Sequence, residues 1–375
     1  MSNPFPHLRS LCSLLPVLRG IPRYSVGGGK VRVKMIISLT LVALVPVAGC
    51  APKQPIFAPV NPPLVWPAPP EPSRIRYIGQ LVTSADLKPS VSPLEGFGTA
   101  LFGKKPIHSM LTPYAVCTDH HNRLFVADTN AQVVHVFDMN TRKYERWQPS
   151  LKRLFSQPVG LAYDTVNDRL CVSDSVAKTV YIFTSKGGLV AETPRGLFQR
   201  PTGICFDPHN KRLFVADTAA HRIVVIAPNG QPITTFGSRG TALGQFNFPL
   251  SIALDHYNRV YICDSLNYRI QQFSSDLAPI KTFGRKGDLP GYFGQPKGLA
   301  CDSQNNLYVV DASFEAVQIF NPDGQLLLNF GEEGTRRGQF WLPAGIFIDP
   351  TDRIWVADSY NRRVQVFQLL RESQR

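Results

Sequence analysis

A short apolar run that closes on aspartate recurs six times, at residues 124–128, 170–174, 213–217, 260–264, 307–311 and 354–358. The closing residues are Asp128, Asp174, Asp217, Asp264, Asp311 and Asp358, spaced 46, 43, 47, 47 and 47 apart. Ahead of each run stands a proline six residues before another aspartate: Pro113/Asp119, Pro158/Asp164, Pro201/Asp207, Pro249/Asp255, Pro296/Asp302 and Pro343/Asp349. A third apolar run follows, as at 223–226 and 270–273, and a fourth ends in Phe-Gly at Phe236-Gly237, Phe283-Gly284 and Phe330-Gly331. Runs this short, separated by Asp, Asn and Gly, read as strands joined by turns. Each unit is therefore expected to form a four-stranded antiparallel meander. A single sheet of this kind cannot bury both of its faces, which is why the repetition matters.

Six meanders packed radially do bury them, so the expected fold is all-β, a six-bladed β-propeller over residues 74–375. A solenoid of hairpins is the competing arrangement. The sixth unit stops after its third strand, Val364-Gln365-Val366-Phe367. Upstream, Arg74-Ile75-Arg76-Tyr77-Ile78-Gly79 reads like the missing fourth strand, with Tyr77-Ile78-Gly79 echoing Thr235-Phe236-Gly237. Closing the last blade with this N-terminal strand would remove an exposed sheet edge. The units resemble NHL repeats, whose pattern is Pro-x-Gly-apolar, Asp, a strand ending Val-Ala-Asp, then Asn-x-Arg-apolar. Asn267-Tyr268-Arg269-Ile270 and Asn361-Arg362-Arg363-Val364 carry the last element. Ala115 and Ser251 depart from the glycine, and residues 131–133, 177–179 and 314–316 lack Asn-x-Arg. Taken over its length, the chain resembles a six-bladed NHL-type propeller lipoprotein of a Gram-negative bacterium.

The lipoprotein part of that resemblance rests on the first 73 residues. Residues 35–48 are an apolar run flanked by Arg32 and Lys34 on one side and Gly49-Cys50 on the other. This is the layout of an export signal, and the run is short for a bilayer span. Val47-Ala48-Gly49-Cys50 resembles a lipobox, which implies lipidation at Cys50 and signal-peptide removal of 35–49. Residues 1–34 show no pattern and are expected to be dispensable or an overlong start. Residues 50–73 hold nine prolines from 51 on and are expected to form an extended tether. The formal charge of +13 reflects this front end in part, since six basic and no acidic residues lie before Cys50. The remainder is mildly basic and does not mark a nucleic-acid binder.

Candidate chemistry is sparse. A residue repeated in all six units is expected to be structural, since one active site needs one copy. That applies to the six strand-closing aspartates and to Arg222, Arg269 and Arg363. His120, His121, His209 and His256 fall in turns between first and second strands, and no paired metal-ligand spacing appears. His120-His121 is at most a weak opportunistic ligand. Propeller lactonases and an amidating lyase place acids or histidines around the central channel. The corresponding ring here, the x of Pro-x-Gly, is Tyr114, Val159, Thr202, Leu250, Lys297 and Ala344, with no carboxylate and no histidine. It makes a poor metal cage or acid–base site, so no catalytic residue, metal or cofactor is expected. Cys117, Cys171, Cys205, Cys263 and Cys301 lie within strand patterns and read as small core residues without disulfides.

What remains is a rigid disc with loops. The blade-joining loops carry Arg239, Arg285, Lys286, Arg336 and Arg337; the turns between second and third strands vary from unit to unit and contribute Lys178, Tyr268 and Arg362. Phe248 and Trp341 are non-recurring aromatics just before repeat prolines. Phe198, Phe246, Phe293 and Phe340 recur and are expected in the core. An insertion over 83–107 includes a helix start at Ser92-Pro93-Leu94-Glu95 and adds Lys104 and Lys105, expected on the same face. The expected function is a non-catalytic, monomeric cell-envelope lipoprotein, held at the outer membrane by its lipid. One propeller face would bind a protein or a polyanion, with no nucleic-acid partner. The alternative is a lactonase-like propeller hydrolase or lyase.

Overall fold

The computed structural model describes residues 54–88 and 106–371. They form six antiparallel sheets arranged as the blades of a propeller. Blade one is Pro113–Thr118, Arg123–Asp128, Val133–Asp138 and Lys143–Trp147, side by side in chain order. Blades two to five repeat that order over 158–192, 201–236, 249–283 and 296–330. In blade six, Pro343–Ile348, Arg353–Asp358 and Arg363–Leu369 are completed from the N-terminal side by Ile75–Leu81. That strand runs antiparallel to the last one, with Ile75 opposite Leu369 and Leu81 opposite Val364. The Tyr77 ring meets Phe367 edge-on at 5.5 Å. The N-terminal closure expected from the sequence is present.

Second strands such as Arg212–Asp217 are buried on both faces because a neighbouring blade covers each side. Fourth strands such as Pro232–Phe236 face solvent. The core is thus divided into six apolar clusters, one in each cleft between adjacent blades. Phe198, Phe246, Phe293 and Phe340 are all buried, as expected. Gly237, Gly284 and Gly331, with φ of 88°, 86° and 90°, let the Phe246, Phe293 and Phe340 rings lie directly on the backbone.

The strand-closing aspartates are structural. Each accepts backbone N–H bonds from the segment that enters its own first strand: Asp128 from Leu111 and Thr112, Asp217 from Gln199 and Arg200, Asp358 from Trp341. Arg269 and Arg363 pair with Asp264 and Asp358 and also cap three loop carbonyls each. The residue after the aspartate adds a link that the repeat pattern did not reveal. Thr129, Thr218, Ser265 and Ser359 donate their hydroxyls to the carbonyls of Pro158, Pro249, Pro296 and Pro113, each in the next blade. In blade two Ser175 donates instead to Gln157 Oε1, and in blade five this residue is Ala312, so the clasp is missing at both.

The proline-rich stretch departs from the expected tether. From Gln54 onward it lies on the propeller rather than extending away from it. Val65–Trp66 pairs with Arg76 and Ile75 as a fifth strand of blade six. The Trp66 ring packs 5.8 Å from Phe330 and 5.7 Å from Phe367, and Phe57 lies 6.3 Å from Trp355. The prolines forbid regular structure, but Ile56, Phe57, Val60, Leu64 and Trp66 between them supply apolar surface to bury.

The ends of the 83–107 insertion also sit elsewhere than expected. Ser84–Leu87 is a short 3-10 turn capped by Thr83 and Asp86. Leu87 is buried, and its carbonyl accepts from Arg142, on the rim opposite the blade-joining loops. His108 stacks on Tyr144 in the outer strand of blade one at 5.4 Å. The insertion is therefore rooted at the outer edge of blade one and not at the channel mouth. Its expected helix, Lys104 and Lys105 lie outside the described residues, as does Cys50.

Candidate functional site

One face of the disc is made by the blade-joining loops and the turns between second and third strands. In every blade the residue before the third strand has left-handed backbone: Gln132, Lys178, His221, Tyr268, Glu315 and Arg362, with φ of 57°, 56°, 53°, 55°, 52° and 55°. Non-glycine residues adopt this conformation only where surrounding bonds enforce it. Here the N–H of His221, Tyr268 and Arg362 each bonds the carbonyl three residues back. One rigid backbone position thus presents six different side chains, which is how a repeat fold builds a non-repeating surface.

Several of these side chains are engaged by the neighbouring blade. Gln132 donates to Ser156 O at 3.2 Å. His221 Nδ1 accepts from Phe248 N at 3.3 Å, and the two rings meet edge-on at 4.7 Å. Glu315 accepts from Leu342 N at 2.5 Å. Tyr268 lies under the Lys286 ammonium, 5.2 Å from its ring centre. Lys178 and Arg362 are exposed and have no ion pair among the described residues.

The loop cations are interspersed with acidic residues. Arg239, Lys286 and Glu333 occupy equivalent positions, each bridged to the buried phenylalanine of its loop. Glu332 accepts from Gln339 in the loop that holds Arg336 and Arg337. Arg285 lies 4.1 Å above the Tyr292 ring of its own loop. Counting cations alone passed over Glu332, Glu333 and Asp288, which offset them. Trp341 packs against Tyr360 at 5.5 Å, and both remain about half exposed.

The central channel opens on this face. Tyr114, Val159, Leu250, Lys297 and Ala344 line it, as do Cys205 and Cys301 further in, around a cavity of about 220 Å³. Thr202 turns its hydroxyl away to Thr218 and Leu250. Burial lowers the Lys297 ammonium below the ordinary lysine range, although Glu315 and Asp311 oppose the shift. Burial likewise raises Glu315 and Tyr114. All five cysteines among the described residues are free, and burial raises their thiols, Cys205 to about 12, so none is a ready thiolate.

Beside the channel mouth lies a second hollow of about 400 Å³ between blades three, four and five. Arg200, Phe248, Leu250, Leu266 and Tyr268 line it. Arg200 is exposed, and its guanidinium has no ion pair or hydrogen bond among the described residues. Phe248, Leu250 and Tyr268 of this hollow were singled out from the sequence; Arg200 and Leu266 were missed. Arg200 could have been found, because it stands directly before a repeat proline, the register that drew attention to Phe248.

The NHL repeat family model matches residues 198–226 and 340–367, the third and sixth blades. Among curated proteins, no sequence matches the chain. Solved structures share the fold at low identity. A streptogramin B lyase is 11% identical, with a TM-score of 0.52 over 71% of this chain and 84% of its own. Virginiamycin B lyase from Staphylococcus aureus is 15% identical, with a TM-score of 0.52 over 69% and 96%. An auxiliary nutrient binding protein from Bacteroides thetaiotaomicron is 16% identical, with a TM-score of 0.54 over 69% of each chain. These likenesses establish architecture alone: the chain is a six-bladed β-propeller whose third and sixth blades carry NHL repeats.

Proposed function

We propose that the chain is a non-catalytic binding scaffold of the cell envelope, lipidated at Cys50, monomeric, and held at the outer membrane. Its loop face captures a protein partner through the hollow between blades three, four and five. The observation that carries this reading is Arg200, an exposed guanidinium without an ion pair or hydrogen bond among the described residues, set beside Phe248, Leu266 and Tyr268. An unpaired arginine among aromatic and aliphatic groups suits an acidic side chain flanked by apolar ones. The charge balance of the outer loops, where Glu332 and Glu333 oppose Arg336 and Arg337, favours a protein over a polyanion. The test is capture from native membranes by wild type and by an Arg200→Glu, Tyr268→Ala variant. Loss of one defined adduct with unchanged melting supports the reading; equal capture removes this hollow from it.

A lyase-like reading rests on Lys297, a half-buried amine at the channel mouth with its pKa lowered. An amine of that kind is a conceivable base or nucleophile. No histidine or carboxylate stands in its ring, and the lyases named above share only architecture with this chain.

A further inference from the structure

We propose that His120, His121 and Asp168 form a binding site for a divalent transition metal of the zinc class, on the rim opposite the loop face. His120 and His121 lie in the first turn of blade one, and Asp168 in the corresponding turn of blade two. The Nε2 atoms of His120 and His121 stand 3.7 and 4.0 Å from Asp168 Oδ1, and the three ligand atoms lie within 4.8 Å of one another. Zinc bonds of about 2.0–2.1 Å at tetrahedral angles place ligand atoms roughly 3.4 Å apart. Small rotations of two exposed imidazoles close that gap. Two imidazoles and one carboxylate select Zn²⁺, Ni²⁺ or Cu²⁺ over Ca²⁺ or Mg²⁺, which prefer oxygen ligands. Three protein ligands leave a fourth position for water or an outside ligand.

The surroundings separate this cluster from a chance meeting of surface groups. A residue one or two positions before the second strand is left-handed in all six blades, at Asn122, Asp168, Lys211, Asn258, Asn305 and Asp352. At three other junctions it bonds to the neighbouring blade. Asn305 accepts from His256 N, Asp352 from Ser303 N and Oγ, and Asn122 from Arg353. At the junction of blades one and two, Asp168 instead faces two imidazoles. The histidine turn is fixed from below: His121 N donates to Asp119, and Asn140 donates to His121 O. Arg123, which follows the histidine turn, is committed to Asp119 at 2.6 Å and to Ser185 O at 2.5 Å. Tyr163 donates its hydroxyl to Asp168 Oδ1, an outer-shell bond that orients the carboxylate.

The test uses full-length lipoprotein purified in detergent without a histidine tag and titrated with ZnCl₂, with CoCl₂ as a spectroscopic probe. Wild type is expected to bind one equivalent of zinc saturably and to give cobalt absorption of tetrahedral intensity. His120→Ala with His121→Ala, and separately Asp168→Asn, should abolish that equivalent with melting unchanged. Tyr163→Phe should keep the stoichiometry and weaken affinity about 10- to 100-fold. His209→Ala with His256→Ala, on the same rim, should change nothing. Absence of saturable binding by wild type overturns the proposal, as does full binding by the His120/His121 double variant.

Discussion

The hydroxyl of Ser359 donates to the carbonyl of Pro113 at 2.6 Å, joining residues 246 apart in sequence. The bond is buried and ties the last blade to the first, so ring closure rests on side chains as well as on the strand Ile75–Leu81. Ser359→Ala leaves the Pro113 carbonyl buried without its donor. That should cost about 1–3 kcal/mol, read as a lower denaturation midpoint. Chemical denaturation of wild type and variant under identical conditions measures it. A matching midpoint would show that the closing strand alone seals the ring.

The closing strand should matter more. Removing 74–82 strips blade six of its fourth strand and exposes Phe367 and Val366, so melting should fall by well over the Ser359 effect. Trp66→Ala is expected to be milder, about 2 kcal/mol, because Trp66 is only partly buried against Phe330 and Phe367. Calorimetry on the three proteins should rank them in that order.

Much of this was legible in the sequence because strand period, turn residues and unit spacing all agree on one fold. Asp217 or Asp358 announced itself as structural simply by recurring. The Ser359 clasp stayed hidden because Thr, Ser and Ala alternate at its position, so no single letter repeats. The packing of 54–73 was obscured by its prolines, which describe what backbone the segment cannot adopt and say nothing of where Trp66 or Phe57 can be buried. The hollow around Arg200 joins three blades, and its residues come together only through the packing of neighbouring units. His120 and Asp168 likewise meet only because adjacent blades bring two turns together.

Lys297 should make the protein less stable than it could be. Burial lowers its folded-state pKa, so between that value and the ordinary value of about 10.4 the unfolded chain holds the extra proton. Stability therefore rises with pH across this window. Lys297→Met is expected to melt higher than wild type at pH 7, with the gap narrowing as pH approaches about 10. A gap that is constant with pH would show that the half-buried ammonium is not its source.

The proposed membrane anchor is tested at Cys50. A Cys50→Ala variant should lose incorporation of labelled fatty acid and move from the membrane pellet to the periplasmic fraction. Retention in the pellet without label would assign membrane association to another part of the chain.

The loop face, and not the opposite rim, is proposed to meet the partner. A photo-cross-linking amino acid placed at Tyr268, in the hollow, or at Tyr257, in an exposed turn of the opposite rim, tests it in living cells. The account predicts one discrete protein adduct from position 268 that disappears with Arg200→Glu, and none from position 257. Adducts from position 257 alone, or an adduct at 268 indifferent to Arg200→Glu, would contradict it.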